Sequence, residues 1–524
     1  MMIVILLFTG VVLMVYLFLV KPYSYWAKKN VPTGKFIPVV EDVLNLILGR
    51  ESMLDMVQRM YNKVPTGRYT GAYQFRSPIF LIKSPELIKE ICVKDFDHFM
   101  NRRSILPKND DDIWSKNLAA LTDQPWKNMR SILSPSFTSS KMKSMFFLMC
   151  HNANNFVQHF IEKQEKIIEI EMKDSSTRYT IDVIASAAFG IQVDSLKDKD
   201  NEFYLMGTSL NNFSSPSRLF ALFFYLFLPK VANFLKIPIF EKEIKSFFMN
   251  IVTDTLKIRK EKNIKRPDML GLLMEARNEQ QSDVLADTTE GTLDVPPEKL
   301  DTKNMKHKLS DIDIASQVFV FFFAGFETVS SAMCFVAYEL AANPDVQQKL
   351  IDEIDDNRPS NGLPTYETIA NMAYLDMVIS ETLRKWPIAA AMDRVVTKPY
   401  TIPPEHPHEK PVHLNVDDIV VVPIYGLHHD PLYYENPEKF DPERFSPENR
   451  RKIDPYTYLP FGIGPRSCIG NRFALLEIKA LFFFILTHFE IVPIEKTQIP
   501  IKIKKSAFNL TSENGFPLGF KKRR

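Results

Sequence analysis

Cys468 stands in the run Phe461-Gly462-Ile463-Gly464-Pro465-Arg466-Ser467-Cys468-Ile469-Gly470, ahead of an apolar helical stretch from about Asn471 to Phe489. A thiolate needs electropositive surroundings, and a cysteine at a helix start gains the dipole and the free backbone N–H groups that lower its pKa. The glycines let the backbone turn tightly and lie close to a flat ligand. Arg466, two residues before the cysteine, places a cation where it could meet a carboxylate. By residue type alone, a lone cysteine between glycines is also an ordinary buried thiol.

A second group lies in Ile314 to Leu340, which is apolar on nearly all faces, as expected of a helix through the centre of a large domain. Within it, Ala324-Gly325-Phe326-Glu327-Thr328 combines small residues with an acid and a hydroxyl. Alanine and glycine leave room for a flat group, and the Thr328 hydroxyl can bond back to the Ala324 carbonyl and bend the helix. An ionised Glu327 here costs several kcal/mol unless it is partnered or functional. A glutamate at a solvated helix edge is the plainer alternative. Glu381 and Arg384 are three apart on a helix that Trp386-Pro387 ends, so they share a face, as do Trp126 and Arg130 at i and i+4. Taken alone, each pair is compatible with an ordinary surface contact.

The elements that must position these groups are mostly helical. Helical periodicity covers Trp126 to Leu133, Lys141 to Gln164, Thr180 to Phe189, Phe240 to Glu261, Ser310 to Ala341, Pro344 to Asp355 and Leu375 to Lys385, while Thr66 to Ile82 reads as strands. The fold is therefore expected to be mainly α with a minor β component. The 524 residues contain no repeat, which favours one large domain behind a short N-terminal segment. With 65 basic and 63 acidic residues the net charge is +2, and no general field for nucleic acid follows. Four cysteines without a CxxC pair argue against a disulfide framework or a zinc site and fit a reducing, cytosol-facing compartment.

Residues 1–20 carry no charge, and Lys21, Lys28 and Lys29 follow with Tyr23, Tyr25 and Trp26 between them. Roughly twenty apolar residues suffice to cross a bilayer, and lysines after the span place the remainder in the cytosol. A secretory signal would need a basic start and a small-x-small cleavage site, and neither is visible. The expected organisation is a transmembrane anchor over 1–20, a basic, proline-containing hinge over 21–38, and a catalytic domain over 39–524. Leu219 to Pro229 is uncharged and aromatic but too short to span; it is either a buried helix or a surface dipping into the membrane. Asn278 to Lys308 is polar and poor in apolar residues, as in a mobile connector.

FGIGPRSCIG resembles the cytochrome P450 haem-binding signature Phe-x-x-Gly-x-Arg-x-Cys-x-Gly at every fixed position, and AGFET resembles the family's distal Ala/Gly-Gly-x-Glu/Asp-Thr motif. The resemblance implies the cytochrome P450 fold and haem b with Cys468 as axial thiolate to iron. It also implies Arg466 on a propionate and Phe461 beside the sulfur, with Glu327 and Thr328 relaying protons during dioxygen cleavage. Trp126, Arg130 and Arg394 complete the propionate clamp, and Glu381 with Arg384 is joined by Arg444 of Pro442-Glu443-Arg444-Phe445 in a structural triad. By position Ala119, Val320, Phe323, Ala324, Ala389 and Phe508 line the substrate pocket, whose apolar character suits lipophilic small molecules.

The segments PWKNMRSILSPSFTSSKMK and FFFAGFETVSSAM look most like the microsomal clan of vertebrate drug-metabolising and arthropod detoxification enzymes. The implied activity is monooxygenation in the endoplasmic reticulum membrane, with the catalytic domain facing the cytosol. No flavin or nicotinamide fingerprint is apparent, so electrons from NADPH must arrive through a separate NADPH–cytochrome P450 reductase, with cytochrome b5 a second implied partner. Lys127, Lys141 and Lys143 offer a basic surface for such a partner. Two other readings stay open on sequence grounds: a reductase-independent isomerase or dehydratase on the same fold, and a haem protein that only sequesters hydrophobic ligands.

Overall fold

The structure is a computed structural model that describes residues 2–16, 21–34, 44–74, 77–103, 113–211, 215–227, 229–235, 237–238, 240–266, 268–286, 309–360, 362–407, 409–505 and 510–523. The helices that build the site and its surroundings are α1 (Met2–Val15), α2 (Asp123–Leu133), α3 (Ser139–Ile161), α4 (Met172–Ile184), α5 (Glu202–Asn211) and α6 (Pro216–Phe227). They continue with α7 (Pro229–Leu235), α8 (Lys242–Glu261), α9 (Met269–Ala286), α10 (Asp311–Ala342), α11 (Ala373–Lys385) and α12 (Asn471–His488). The expected helical periods therefore fold as helices.

Central to the arrangement is α10, whose 32 residues span about 48 Å at helical rise. Its start is fixed by a capping box: Ser310 Oγ accepts from the Asp313 N–H, and the Asp313 carboxylate accepts from the Ser310 N–H at 2.9 Å. The helix α4 lies along it, α8 and α11 also pack against it, and α12 packs on both α3 and α10. One apolar cluster runs through all of these helices. Among the described residues, α10 is the one helix long and apolar enough to cross a membrane, and it is largely buried inside the protein.

The strands Tyr69–Gln74 (β1), Ser77–Ile82 (β2), Ile167–Glu171 (β3), Met392–Val395 (β4), Tyr400–Ile402 (β5), Val412–Leu414 (β6), Ile419–Val422 (β7), Phe489–Val492 (β8) and Pro517–Lys522 (β9) form small sheets. One has the order β1-β2-β7-β4, with β2 and β7 parallel and the other neighbours antiparallel. It supports a second apolar cluster and delivers Arg394, paired with Val420 in register, to the site. The remaining sheets are β3-β9-β8 and β5-β6.

The structure bears on three further expectations. Of the expected hinge over 21–38, residues 21–34 pack on the fold, where Trp26 is fully buried, its Nε1–H donates to the Ala72 carbonyl at 3.0 Å, and Lys29 pairs with Asp418 at 2.9 Å, while 35–38 lies outside the described residues. The polar stretch from Asn278 continues α9 as far as Ala286, whereas 287–308 lies outside the described residues. Leu219 to Pro229 falls mostly in α6 and divides its faces: Ala221 and Tyr225 are buried, while Phe220 is exposed, as are Val231, Phe234 and Leu235 on α7.

Candidate active site

The loop before α12 is held open by its own backbone. Cys468 N–H donates to the Phe461 carbonyl at 2.9 Å, and Ser467 N–H to that of Gly464 at 2.9 Å. Gly464 has φ +74°, and a Cβ there would lie 1.9 Å from the Cys92 carbonyl oxygen, so only glycine lets the loop sit this close. The Cys468 side chain is exposed even though burial pushes its thiol pKa up. Both hold if the sulfur opens on an interior cleft rather than on the outer surface. The Gly470 N–H, Arg102 and Arg130 pull the other way, but burial wins, contrary to the expected net lowering. A bound cation would deprotonate such a thiol outright.

Around this sulfur the structure gathers guanidinium groups. Arg466 is stacked on Trp126, 3.9 Å from the ring centroid, and donates to the carbonyls of Met100 at 2.9 Å and Leu121 at 2.8 Å. Arg394 is buried, donates to Ile463 O at 3.2 Å, and its Nε has no hydrogen-bond partner among the described residues. Burial, together with Arg102, Arg394 and Arg130, pushes Arg466 down to about 9. Burial also holds Arg102 and Arg130 below the ordinary arginine value. Asp393 and Asp123 offset this only in part. A cluster of buried cations with an orphaned N–H fits a group that brings its own carboxylates, as haem does with its two propionates. Sequence reasoning missed Arg102, which donates to the Arg466 carbonyl at 2.6 Å and acts on Cys468. It stands in a polar stretch with no local pattern to mark it.

A second exposed patch lies on one face of α10. Buried residues flank this part of the helix, yet Ala324 and Thr328, one turn apart, are exposed. The Thr328 hydroxyl donates to the Ala324 carbonyl at 2.7 Å, as expected of a back-bonded threonine. Gly325 serves a different purpose from the one expected. Its Cβ position lies 3.1 Å from Ile184, so the missing side chain admits α4 rather than a flat ligand. Glu327 is not at a solvated edge: its carboxylate is partnered by Lys173 at 3.0 Å and by Asn211 at 2.5 Å. Gln317 ties the loop before Ala119 to α10, accepting from Leu118 N–H at 2.9 Å and donating to Lys116 O at 2.8 Å. Ala119 and Ala389 are exposed and Val320 and Phe323 half-buried, whereas Phe508 lies outside the described residues.

Glu381, Arg384 and Arg444 lie together in the structure. Arg384 grips the Glu381 carboxylate at 2.7 and 2.9 Å, and both side chains are fully buried. The same carboxylate accepts from the Asp441 N–H at 3.0 Å and from Arg444 Nε at 3.4 Å. Arg384 also donates to His428 O at 2.9 Å and Pro437 O at 2.6 Å, which ties α11 to the chain leading into the cysteine loop.

A helical fold with this loop, this cation cluster and this distal face defines a haem-thiolate monooxygenase. The cytochrome P450 family profile matches residues 31–517, and the chain belongs to that family. Among its relatives, cytochrome P450 9e2 of Blattella germanica is 42% identical, over 98% of this chain and 96% of its own length. Cytochrome P450 9b2 of Drosophila melanogaster is 38% identical over 91% of both chains. Cytochrome P450 3A41 of Mus musculus is 36% identical, over 94% of this chain and 92% of its own. Nothing among them favours the isomerase or the passive binder.

Proposed function

We propose that Cys468 ligates the haem iron, that Arg130, Arg394 and Arg466 hold the propionates with Trp126 stacked beneath Arg466, and that the substrates are lipophilic xenobiotics or endogenous lipids. The observation that carries this reading is the shared exposure of Cys468, Ala324 and Thr328 in parts of the fold that are otherwise core. Haem, when bound, would supply the dioxygen-activating chemistry, and Cys468 would hold it through an electron-donating thiolate. Phe461 shields the sulfur from water, and the guanidinium groups orient the cofactor through charge-assisted hydrogen bonds. Ala119, Val320, Phe323, Ala324 and Ala389 present apolar surface that excludes water and accepts apolar substrate.

Thr328 turns its hydroxyl toward the cleft and passes protons inward, with Glu327 as the acid behind it. Thr328→Ala should therefore keep consuming NADPH while product per NADPH falls roughly tenfold or more, hydrogen peroxide taking its place. An unchanged product yield would remove Thr328 from the reaction. Assay with reconstituted reductase and NADPH tests the whole reading: it requires substrate-dependent oxygen uptake and an oxygenated product, and turnover of peroxides alone would overturn it. A panel of type I binding spectra identifies the substrate class.

Residues 1–20 anchor the chain in the endoplasmic reticulum membrane with the catalytic domain in the cytosol. In support, Leu6, Phe8, Val12 and Leu13 on α1 are exposed and apolar. Phe220, Phe234 and Leu235 dip into the same bilayer as a second contact. The basic surface of α2 and α3 receives the acidic face of the reductase. There Lys127 pairs with Asp97 and Lys143 with Glu367, so a partner must compete for these lysines.

A further inference from the structure

Gln317 is a fully buried amide on α10 among apolar neighbours, for Ile314, Ala315, Val318 and Phe319 are buried beside it. It stands seven residues before Ala324 and eleven before Thr328, which at about 100° per residue puts all three on one face of the helix. That face is open at Ala324 and Thr328 and covered at Gln317, where residues 113–121 lie against it.

These residues form no helix or strand, yet they are tightly held. Asn117 closes them into a turn: its Oδ1 accepts from the Ala119 and Ala120 N–H groups at 3.0 and 3.1 Å, and its Nδ2 donates to Trp114 O at 2.7 Å. The Asn117 carbonyl accepts from Ala120 and Leu121 N–H, each at 3.0 Å. A turn closed on itself in this way moves as a body, so its place depends on what grips it from outside. Arg466 donates to Leu121 O at 2.8 Å and to Leu118 O at 3.4 Å, and Trp114 stacks on Phe240 at 3.7 Å between centroids and meets Phe319 edge-on at 4.3 Å. From α10 the grip is the Gln317 amide, with Lys116 adding a longer pair to Asp313 at 3.7 Å. Gln317 accepts from Leu118 N–H at 2.9 Å and donates to Lys116 O at 2.8 Å and to Asp313 O at 3.3 Å, which uses its acceptor and both donors. An apolar side chain of similar size would strand the buried Leu118 N–H.

We infer that Gln317 is a positioning residue for substrate: it fixes the 113–121 turn at one end of the open face of α10, and so sets how far Ala119 stands from Ala324 and how bulky a molecule fits between them. This rests on the reading of Ala119 and Ala324 as pocket residues. Gln317 is wholly covered, touches no substrate, and acts through the turn. Ala119 is the exposed residue next to Leu118, the one whose N–H Gln317 holds.

The test titrates the haem-loaded full chain with imidazole and with 1-benzylimidazole, whose ring nitrogen binds iron and shifts the Soret band without turnover. Each variant is first checked for an intact thiolate-type ferrous-carbonyl spectrum. Gln317→Leu should weaken 1-benzylimidazole roughly tenfold, the effect of one lost buried hydrogen bond, and leave the affinity for imidazole as it was. Amide hydrogen exchange over 113–121 should quicken in the same variant. Gln317→Glu still accepts from Leu118 N–H but cannot donate to Lys116 O, and should fall between Gln317→Leu and the unaltered chain. Ala119→Leu should weaken 1-benzylimidazole by bulk, and combined with Gln317→Leu the losses should be less than additive. If Ala119→Leu weakens 1-benzylimidazole and Gln317→Leu does not, the inference fails and the pocket reading stands. If neither does, both fail. Equal weakening of the two ligands by Gln317→Leu would mean that the residue acts on the haem seat through Arg466, and unchanged exchange over 113–121 would mean that it does not hold the turn; either result overturns the inference. Should Gln317→Leu not take up haem, Gln317→Glu carries the same comparison.

Discussion

Replacing Cys468 with serine is expected to abolish the thiolate-type ferrous-carbonyl spectrum and to bring oxygenated product down to the level of the uncatalysed reaction. The substitution is nearly isosteric, and the loop does not depend on the sulfur for its shape. Its hydrogen bonds run between backbone groups of Phe461, Gly464, Ser467 and Cys468, and Gly464 rests on the Cys92 carbonyl. What disappears is the electron-donating sulfur. The other cysteines are internal controls. Cys92, Cys150 and Cys334 are buried, and burial raises all their thiols, Cys150 to about 12. Serine at any of them should leave the spectrum in place. A Cys468→Ser protein that keeps the thiolate spectrum would refute the ligand assignment.

A comparably large effect, on stability rather than chemistry, is expected of Glu381→Ala. Burial pushes the Glu381 carboxyl above its ordinary value even with Arg384 and Arg444 beside it, so the network is costly to bury and costlier to break. Without the glutamate, Arg384 keeps only its carbonyl partners His428 and Pro437 in a place with no access to water. The loss is about 3–5 kcal/mol, a large part of the roughly 5–15 kcal/mol by which native domains are stable. Urea unfolding should therefore show a sharply lowered midpoint, and the expressed protein should hold little haem. A midpoint near that of the unaltered chain would mean that the triad contributes nothing to integrity.

Features of the site that depend on near neighbours were legible in the chain. Glu381 and Arg384 had to share a helical face, Thr328 had to reach the carbonyl of Ala324, and the glycines around Cys468 had to make a tight loop. Helical periodicity likewise located α10 and its neighbours, because burying one apolar surface imposes it. Features made by distant contacts were not legible. Glu327 finds Asn211 across 116 positions, and Lys173 reaches the Glu327 carbonyl across 154, with no local pattern to announce either. Arg102 joins the cation cluster in the same way. Composition alone does not place Trp26, because it cannot distinguish a lipid headgroup layer from a hydrophobic groove in a sheet. Gly325 in the sequence is compatible with a flat ligand or with a neighbouring helix, because a missing side chain does not say which neighbour it admits.

The docking of residues 21–33 against β1 and β2 leaves little slack in the tether. From residue 16 to residue 21 the chain makes five steps, at most about 18 Å when fully extended. On the proposal that residues 1–20 lie in a bilayer, the catalytic domain would be kept from drifting away from the lipid or tumbling freely above it. It would then graze the surface at close range. For a solute that partitions into lipid, the relevant concentration is then the one within the membrane, and apparent affinity depends on how much lipid is present as well as on the pocket.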